Sequence, residues 1–290
     1  MKFFDLHCDT LTKCINTKDD IKHNNLHISL DKAGCFSLWK EFFAVWHNDS
    51  LSDEQGMELF IKCSNFFKNN LTAQKAGKAY LTVENCGFIK SENDIDFFKE
   101  NGVVCASLTW NGRNKLACGC LSETDTGLTE LGKRTVKKLN ESKIIIDVSH
   151  ISEKSFWDIA DLSQSPFIAT HSNLYSLKKH RRNLKDEQVK FIIRNGGLIG
   201  ITFCRSFLPT EKSLFEGIYE NIAYALDLGG ENHIAFGSDF DGCFIPSELD
   251  SIEKTENLYN YLYGKGVSKA LLEKIFYVNA ETFLNSVCNK

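Results

Sequence analysis

The sequence contains little proline and no long apolar run. Proline occurs at only three of 290 positions. No repeat, low-complexity stretch or Pro/Gly-rich linker divides the chain, so we expect one domain over residues 1–290. No apolar stretch reaches the length of a membrane span. No basic segment followed by an apolar one precedes the first predicted strand, so we expect a cytoplasmic protein without membrane contact.

The sequence also lacks the basic character of a nucleic-acid-binding protein. The formal net charge is −4, and no basic stripe with interleaved aromatic residues is present, so nucleic acid is not an expected partner. Cysteine, at eleven residues, is the one unusual excess. Only Cys118 and Cys120 are closely spaced, and no second pair completes a zinc-binding motif. We therefore expect reduced thiols that are mostly buried.

Short apolar runs recur along the chain and predict a barrel. We predict eight strands, over residues 3–8, 41–46, 79–84, 103–109, 144–149, 167–170, 198–203 and 233–237. Apolar residues repeat at helical spacing in segments 57–67, 152–162, 185–193 and 214–228, and segment 278–284 is interpreted as a packing helix. This alternation predicts an α/β fold, a (β/α)8 barrel of TIM type. The alternative is an open doubly wound sheet, which requires a Gly-rich phosphate turn that this chain lacks.

The first predicted strand ends in a cluster of polar residues, Asp5-Leu6-His7-Cys8-Asp9. Because side chains alternate along a strand, His7 and Asp9 are expected on one face and Cys8 on the other. An imidazole beside a carboxylate makes half of a divalent-metal site. The cluster alone is weak evidence, since His-x-Asp also occurs by chance.

Four later strands end on residues of the same types, namely Glu84, His150, His171 and Asp239. A single histidine there is more often a hydrogen-bonded structural residue, and a single carboxylate is more often a helix N-cap. In a barrel, however, the carboxyl ends of the strands meet in one mouth. Three imidazoles and three carboxylates in that mouth would be unfavourable without counter-charge. Two divalent cations, bridged by Glu84, would relieve this clustering.

As a set, these motifs resemble the renal (membrane) dipeptidase family of binuclear zinc peptidases. The resemblance covers nearly the whole chain in the family's order. Its motifs are Asp5-Leu6-His7-Cys8-Asp9, Val83-Glu84-Asn85, Asp147-Val148-Ser149-His150, Thr170-His171-Ser172-Asn173, Arg181-Arg182-Asn183-Leu184 and Gly237-Ser238-Asp239-Phe240-Asp241-Gly242.

The resemblance implies roles for the matched residues. His7 and Asp9 would bind one zinc ion, His150 and His171 the other, and Glu84 both. Asp239 would be the catalytic acid/base and Arg182 would bind the substrate's terminal carboxylate; the alternative for Arg182 is a surface charge. Two metals about 3.5–4 Å apart would hold a bridging hydroxide that attacks the peptide carbonyl. Zinc is the expected metal, although mixed N/O sites also accept manganese, iron or cobalt.

The chain departs from better-known animal members of the family at Trp110. Where those members have a substrate-polarising histidine after Leu-Thr, this chain reads Leu108-Thr109-Trp110-Asn111. The Trp110 indole N–H can donate one hydrogen bond to a substrate, but the ring could equally be a pocket wall or a core residue. The membrane anchor and linking disulfide of animal members are not expected here.

We therefore predict a metal-dependent dipeptidase for dipeptides with a free C-terminal carboxylate. Two alternatives remain open. The same metal centre could hydrolyse another small amide or ester, such as an N-acyl amino acid or a lactone, or the chain could be an inactive metal-bearing protein that binds peptides. The resemblance also makes a homodimer possible.

Overall fold

The computed structural model describes residues 1–71 and 77–288, and a closed barrel of eight parallel strands forms its centre. Neighbouring strands in the barrel are neighbours in the sequence: β1 (Lys2–Cys8), β2 (Leu38–Trp46), β3 (Gly77–Glu84), β4 (Val103–Ser107), β5 (Ile145–Asp147), β6 (Ile168–Ala169), β7 (Leu198–Ile201) and β8 (Ile234–Phe236). Every predicted strand is present, so the prediction of a (β/α)8 barrel is confirmed.

Helices follow the strands and cover the outside of the barrel. They are α1 (Thr10–Thr17), α2 (Leu30–Ala33), α3 (Asp53–Asn70), α4 (Asp94–Glu100), α5 (Glu130–Glu141), α6 (Glu153–Leu162), α7 (Asp186–Arg194), α8 (Leu214–Asp227), α9 (Thr255–Gly264), α10 (Lys269–Glu273) and α11 (Asn279–Cys288). The predicted helical segments fall on α3, α6, α7, α8 and α11. Ser152 caps α6, because its hydroxyl accepts a hydrogen bond from the Ser155 N–H.

The amino-terminal end of the barrel is filled by apolar side chains. Each strand contributes to this interior layer: Phe4 and Leu6, Phe42, Tyr80, Cys105, Ile145, Ile168, Leu198 and Ala235. Tyr277, from a π-helical segment at Lys274–Val278, and Phe283, from α11, pack against the layer from below. The polar residues at the carboxyl ends of the strands therefore lie above a dry, rigid floor.

Strand β1 departs from strict alternation near its carboxyl end. Phe4 and Leu6 face the interior, so simple alternation would turn Cys8 inward and His7 outward. The register of β1 against β2 shifts between Asp5 and Cys8. Cys8 consequently packs in the outer core, while His7 reaches the mouth of the barrel. The predicted facing of Cys8 away from His7 is found, but an irregularity produces it.

Two other expectations can be compared with the described residues. Of the cysteines from Cys8 to Cys243, eight are buried, while Cys35 is exposed and Cys243 is half-buried. No helix in residues 1–71 or 77–288 combines the length and apolar character that crossing a membrane requires.

Candidate metal centre and active site

The five predicted metal ligands converge at the carboxyl end of the barrel. His7 Nε2 lies 3.4 Å from Asp9 Oδ2 and 3.3 Å from Glu84 Oε2. His150 Nε2 lies 2.9 Å from Glu84 Oε1 and 2.9 Å from His171 Nε2. All five side chains are buried. Residues from β1, β3 and the loops after β5 and β6 are thus brought within ligand distance of one another.

Glu84 stands between two groups of ligands. One carboxylate oxygen faces His7 and the other faces His150. This is the arrangement that a carboxylate needs in order to bridge two cations. Oε2 of Glu84 has no hydrogen-bond partner among the described residues, and the same is true of His7 Nε2 and Asp9 Oδ1. Buried polar atoms without partners are unfavourable, and a cation between them would satisfy all three.

The hydrogen bonds of the two other histidines fix their tautomers. His150 Nδ1 lies 2.9 Å from the side-chain oxygen of Asn111. His171 Nδ1 lies 2.8 Å from Thr170 Oγ1, whose hydroxyl is donated to Asp147 Oδ2 at 2.6 Å. Each Nδ1 therefore donates its hydrogen, which leaves a lone pair on each Nε2, and the two Nε2 atoms lie 2.9 Å apart. Metal-binding histidines commonly donate the N–H of their other ring nitrogen to an acceptor in this way.

Burial and charge set the protonation of the candidate ligands. Burial lowers the pKa of His7, but the close carboxylates of Asp9 and Glu84 outweigh it and hold that pKa well above its usual value. Burial and positive neighbours hold the pKa of His150 and of His171 well below the usual value, so both stay neutral. Burial, with the charge of Asp9, raises the pKa of Glu84 to about 7. Clustered carboxylates and neutral imidazoles are the chemistry of a divalent-cation site.

Asp239 lies at the edge of the ligand cluster. Its Oδ1 is 4.0 Å from His7 Nε2. Burial raises the pKa of Asp239 to about 6, with opposing effects from the charges of His7 and Asp9. Both Asp239 and His150 have positive φ angles, of 65°. This conformation costs non-glycine residues of the order of 1–3 kcal/mol and is concentrated at functional sites.

Gly242 allows this crowding of carboxylates. A Cβ atom at that position would lie 2.0 Å from Asp9 Oδ2 and 2.4 Å from Asp239 Oδ1. Any larger residue would therefore displace one of the two carboxylates. The Asp241-Gly242 pair therefore contributes to the packing of the candidate site.

A cavity of about 610 Å³ opens above the cluster. Its floor includes Asp9, Glu84, His150 and Asp239, and Arg182 lines it too. Arg182 is buried, which removes the alternative of an exposed surface charge. Its guanidinium donates to the backbone oxygen of His171 at 3.0 Å and lies 5.2 Å from the Phe207 ring centre. Arg182 Nε has no partner among the described residues.

The apolar wall of the cavity is aromatic. Trp110 is partly buried and meets Trp46 edge to face, with ring centres 5.2 Å apart. Its ring lies 6.3 Å from that of His150. Of the sequence interpretations of Trp110, the core residue is therefore wrong, because the side chain faces the cavity. Phe207 completes the wall.

Sequence reasoning missed several residues that surround the centre. Asn111 orients His150, Trp46 and Phe207 line the cavity, and Thr170 connects His171 to Asp147. Asn111 directly follows Trp110, but nothing in its type or spacing indicates a hydrogen bond to a residue 39 positions away.

A closed (β/α)8 barrel with a buried imidazole and carboxylate cluster at the carboxyl ends of its strands defines a candidate metal-dependent hydrolase. Comparison with known sequences makes this class more specific. Residues 68–287 match the model of the membrane dipeptidase family, peptidase family M19. The chain belongs to this family, and is thereby a peptidase, a hydrolase of peptide bonds.

Curated sequences similar to this chain include one uncharacterized protein and one named as a dipeptidase. An uncharacterized protein from the pqqA 5' region of Klebsiella pneumoniae is 35% identical over 69% of this chain and 78% of its own length. The dipeptidase tcpJ of Claviceps purpurea is 31% identical over 68% of this chain. The match spans about half (48%) of that fungal relative's length.

Solved structures show the same fold. The dipeptidase AC, a metallopeptidase of family M19, superimposes with a TM-score of 0.91 at 23% identity, covering 99% of this chain and 98% of its own. A metallopeptidase from Rhodobacter sphaeroides, solved with a phosphinate mimic of the dipeptide L-Ala-D-Ala, gives a TM-score of 0.88 at 22% identity, covering 99% of each chain.

Proposed function

We propose that this chain is a metal-dependent dipeptidase that hydrolyses the single peptide bond of dipeptides with a free C-terminal carboxylate, and that residues 1–290 act as one domain. The observation that carries the proposal is the position of Glu84, whose two oxygens lie 3.3 Å from His7 Nε2 and 2.9 Å from His150 Nε2. A buried carboxylate with an imidazole nitrogen at each oxygen suits a ligand shared by two divalent cations.

Two divalent ions fit the residues present. His7 and Asp9 would hold one ion, His150 and His171 the other, and Glu84 would contact both. The three polar atoms without partners and the adjacent Nε2 atoms of His150 and His171 support this assignment. Zinc suits a site of three imidazoles with carboxylates. When bound, two such ions supply a hydroxide nucleophile at neutral pH and polarise the carbonyl oxygen of the substrate.

Asp239 is proposed as the group that transfers the proton. It lines the cavity and its carboxylate lies beside the ligand cluster, 4.0 Å from His7 Nε2. It can accept the proton released by the attacking water and donate it to the leaving amine. A pKa raised by burial toward the operating pH favours both transfers.

Arg182 is proposed to select the free carboxylate. The planar guanidinium can pair with both oxygens of a carboxylate, and Arg182 lines the cavity that also exposes Glu84 and Asp239. Its position is held by the His171 backbone oxygen and by the Phe207 ring. A dipeptide whose C-terminal carboxylate meets Arg182 would present its peptide bond to the metal cluster.

The aromatic wall formed by Trp46, Trp110 and Phe207 is proposed to contact the substrate side chains. Trp110 replaces the histidine of animal members, so a single indole N–H takes the place of a titratable donor. The solved Rhodobacter sphaeroides relative holds a mimic of L-Ala-D-Ala. That complex supports a dipeptide as substrate here and makes a D-residue at the C-terminal position worth testing.

The test combines metal analysis with a substrate panel. Purified protein is loaded with zinc, freed of excess metal and assayed on L,L- and L,D-dipeptides before and after chelation. Matched dipeptide amides serve as controls for the carboxylate, and N-acyl amino acids and lactones represent the other hydrolase activities. About two metals per chain and chelator-sensitive cleavage of free dipeptides only are expected. Two metals with cleavage of lactones or acyl amides alone would overturn the dipeptidase proposal, and failure to bind zinc would overturn the metal centre.

A further inference from the structure

Two thiols, of Cys204 and Cys243, lie beside Asp239. Cys204 follows β7, and Cys243 lies in the loop that follows β8. The two sulfur atoms and one carboxylate oxygen of Asp239 all lie within 4.8 Å of one another. The Cys243 thiol also lies 3.6 Å from the backbone oxygen of Asp239.

The geometry of this group suits a soft divalent cation. Thiolates bind zinc at about 2.3 Å and carboxylate oxygens bind it at about 2.0–2.2 Å. Donors on a tetrahedral ion therefore stand roughly 3.5–4 Å apart, within the span of the three side chains. Thiolate ligands favour soft ions such as Zn²⁺ and Cd²⁺ over Mg²⁺ or Ca²⁺.

The position of Cys243 gives an ion access to the group. Cys243 is half-buried and lines the same cavity as Asp239 and Arg182, whereas Cys204 is 4% exposed. Filling the core would account for a buried thiol such as Cys204. It does not account for a second thiol that borders the substrate cavity and contacts the residue proposed to transfer the proton.

We propose that Cys204, Cys243 and Asp239 form an inhibitory site for a soft divalent cation, separate from the binuclear centre. Binding displaces the two thiol protons to solvent and leaves the oxidation state of every group unchanged. The bound ion engages the Asp239 carboxylate, which can then neither accept nor donate a proton. The inhibitory effect rests on the proposed role of Asp239, whereas the binding site itself does not.

Cadmium titration of the zinc-loaded enzyme tests the proposal. Enzyme with two zinc ions per chain is titrated with Cd²⁺ under reducing-agent-free, anaerobic conditions. The ultraviolet thiolate-to-cadmium absorption, the dipeptidase activity and the zinc released to solution are recorded together. The variants are Cys204→Ser and Cys243→Ser, and Cys35→Ser removes an exposed thiol remote from the site as the matched control.

We expect one further equivalent of Cd²⁺ to bind without releasing zinc, with the thiolate absorption and loss of activity rising together. Each serine variant at the site should lose the absorption and require at least about tenfold more Cd²⁺ for half-inhibition. Inhibition is measured relative to the rate of the same zinc-loaded variant without Cd²⁺. Cys35→Ser should behave as the parent.

Two results would overturn the proposal in different ways. If the parent enzyme shows no thiolate absorption before zinc is released, the site does not exist. If the absorption appears at one equivalent but activity persists, the cation binds without inhibiting, and the role assigned to Asp239 fails with it.

Discussion

Replacing Asn111 by leucine should weaken the metal centre without touching a metal ligand. The Asn111 side-chain oxygen lies 2.9 Å from His150 Nδ1, and His150 is buried with 8% of its surface exposed. Leucine is similar in size but accepts no hydrogen bond. His150 would then lose the partner that holds its Nδ1–H tautomer and its ring orientation, so that its Nε2 would no longer be fixed toward Glu84.

The magnitude follows from the behaviour of such partners in other metal sites. Loss of one costs about 10- to 100-fold in metal affinity or activity, which corresponds to about 1.4–2.7 kcal/mol. The backbone of Asn111, which accepts a hydrogen bond from the Leu121 N–H at 2.9 Å, is unchanged by the substitution. The effect should therefore fall on the metal site rather than on the loop.

The assay is competition for zinc between the enzyme and a chelator of known affinity, followed by bound metal and by activity. Asn111→Asp keeps an acceptor for His150 Nδ1 and should retain affinity within a few-fold. Asn140→Leu, near the end of α5, is a control for replacing a half-buried asparagine elsewhere. If Asn111→Leu holds zinc as tightly as the parent enzyme, the proposed orienting role of Asn111 is refuted.

Three further substitutions test the roles of Asp239 and Arg182 and the pH dependence of stability. Asp239→Asn should lower kcat by about 10²- to 10⁴-fold with both metals retained; normal turnover would contradict the proton-transfer role. Arg182→Lys loses the planar fork, so KM for free dipeptides should rise by about 10- to 150-fold, and the preference over dipeptide amides should shrink; an unchanged preference would remove Arg182 from carboxylate binding. Burial, with the charge of Asp5, holds the pKa of Glu41 well above its usual value of 4.5. Folding therefore favours protonated Glu41. The stability that protonated Glu41 contributes is lost as the pH rises above about 4.5 toward the pKa of Glu41 in the folded state. The Glu41→Gln variant cannot titrate at this position, so its free energy of unfolding relative to the parent should increase by up to about 1.4 kcal/mol per pH unit. Urea denaturation at fixed metal concentration measures this difference. Parallel pH profiles of the two proteins would contradict the prediction.

The strand ends carry most of what the sequence revealed about the candidate site. Glu84, His150, His171 and Asp239 each end a short apolar run, and a parallel barrel brings all such ends to one mouth. Their convergence could therefore be predicted once eight alternating strands and helices were recognised. Patterns of only a few residues per strand were sufficient for this prediction, because the barrel fold itself brings distant strand ends together.

Local periodicity did not predict how β1 presents His7. Alternation alone, continued from Phe4 and Leu6 in the barrel interior, would send His7 outward. The shift in register between Asp5 and Cys8 turns His7 into the mouth. That shift depends on pairing with β2, whose residues lie more than 30 positions away, so it is a tertiary effect.

The sequence by itself determined the barrel, the types of the candidate ligands and the order in which the chain supplies them, because apolar periodicity and strand-end chemistry are local properties. Only the tertiary structure decided which groups orient and surround those ligands. The bond from Asn111 to His150 joins the loops after β4 and β5. The thiols of Cys204 and Cys243 meet at Asp239 because β7 and β8 are neighbours in the barrel. These contacts depend on distances between loops, which the packing of the whole chain sets.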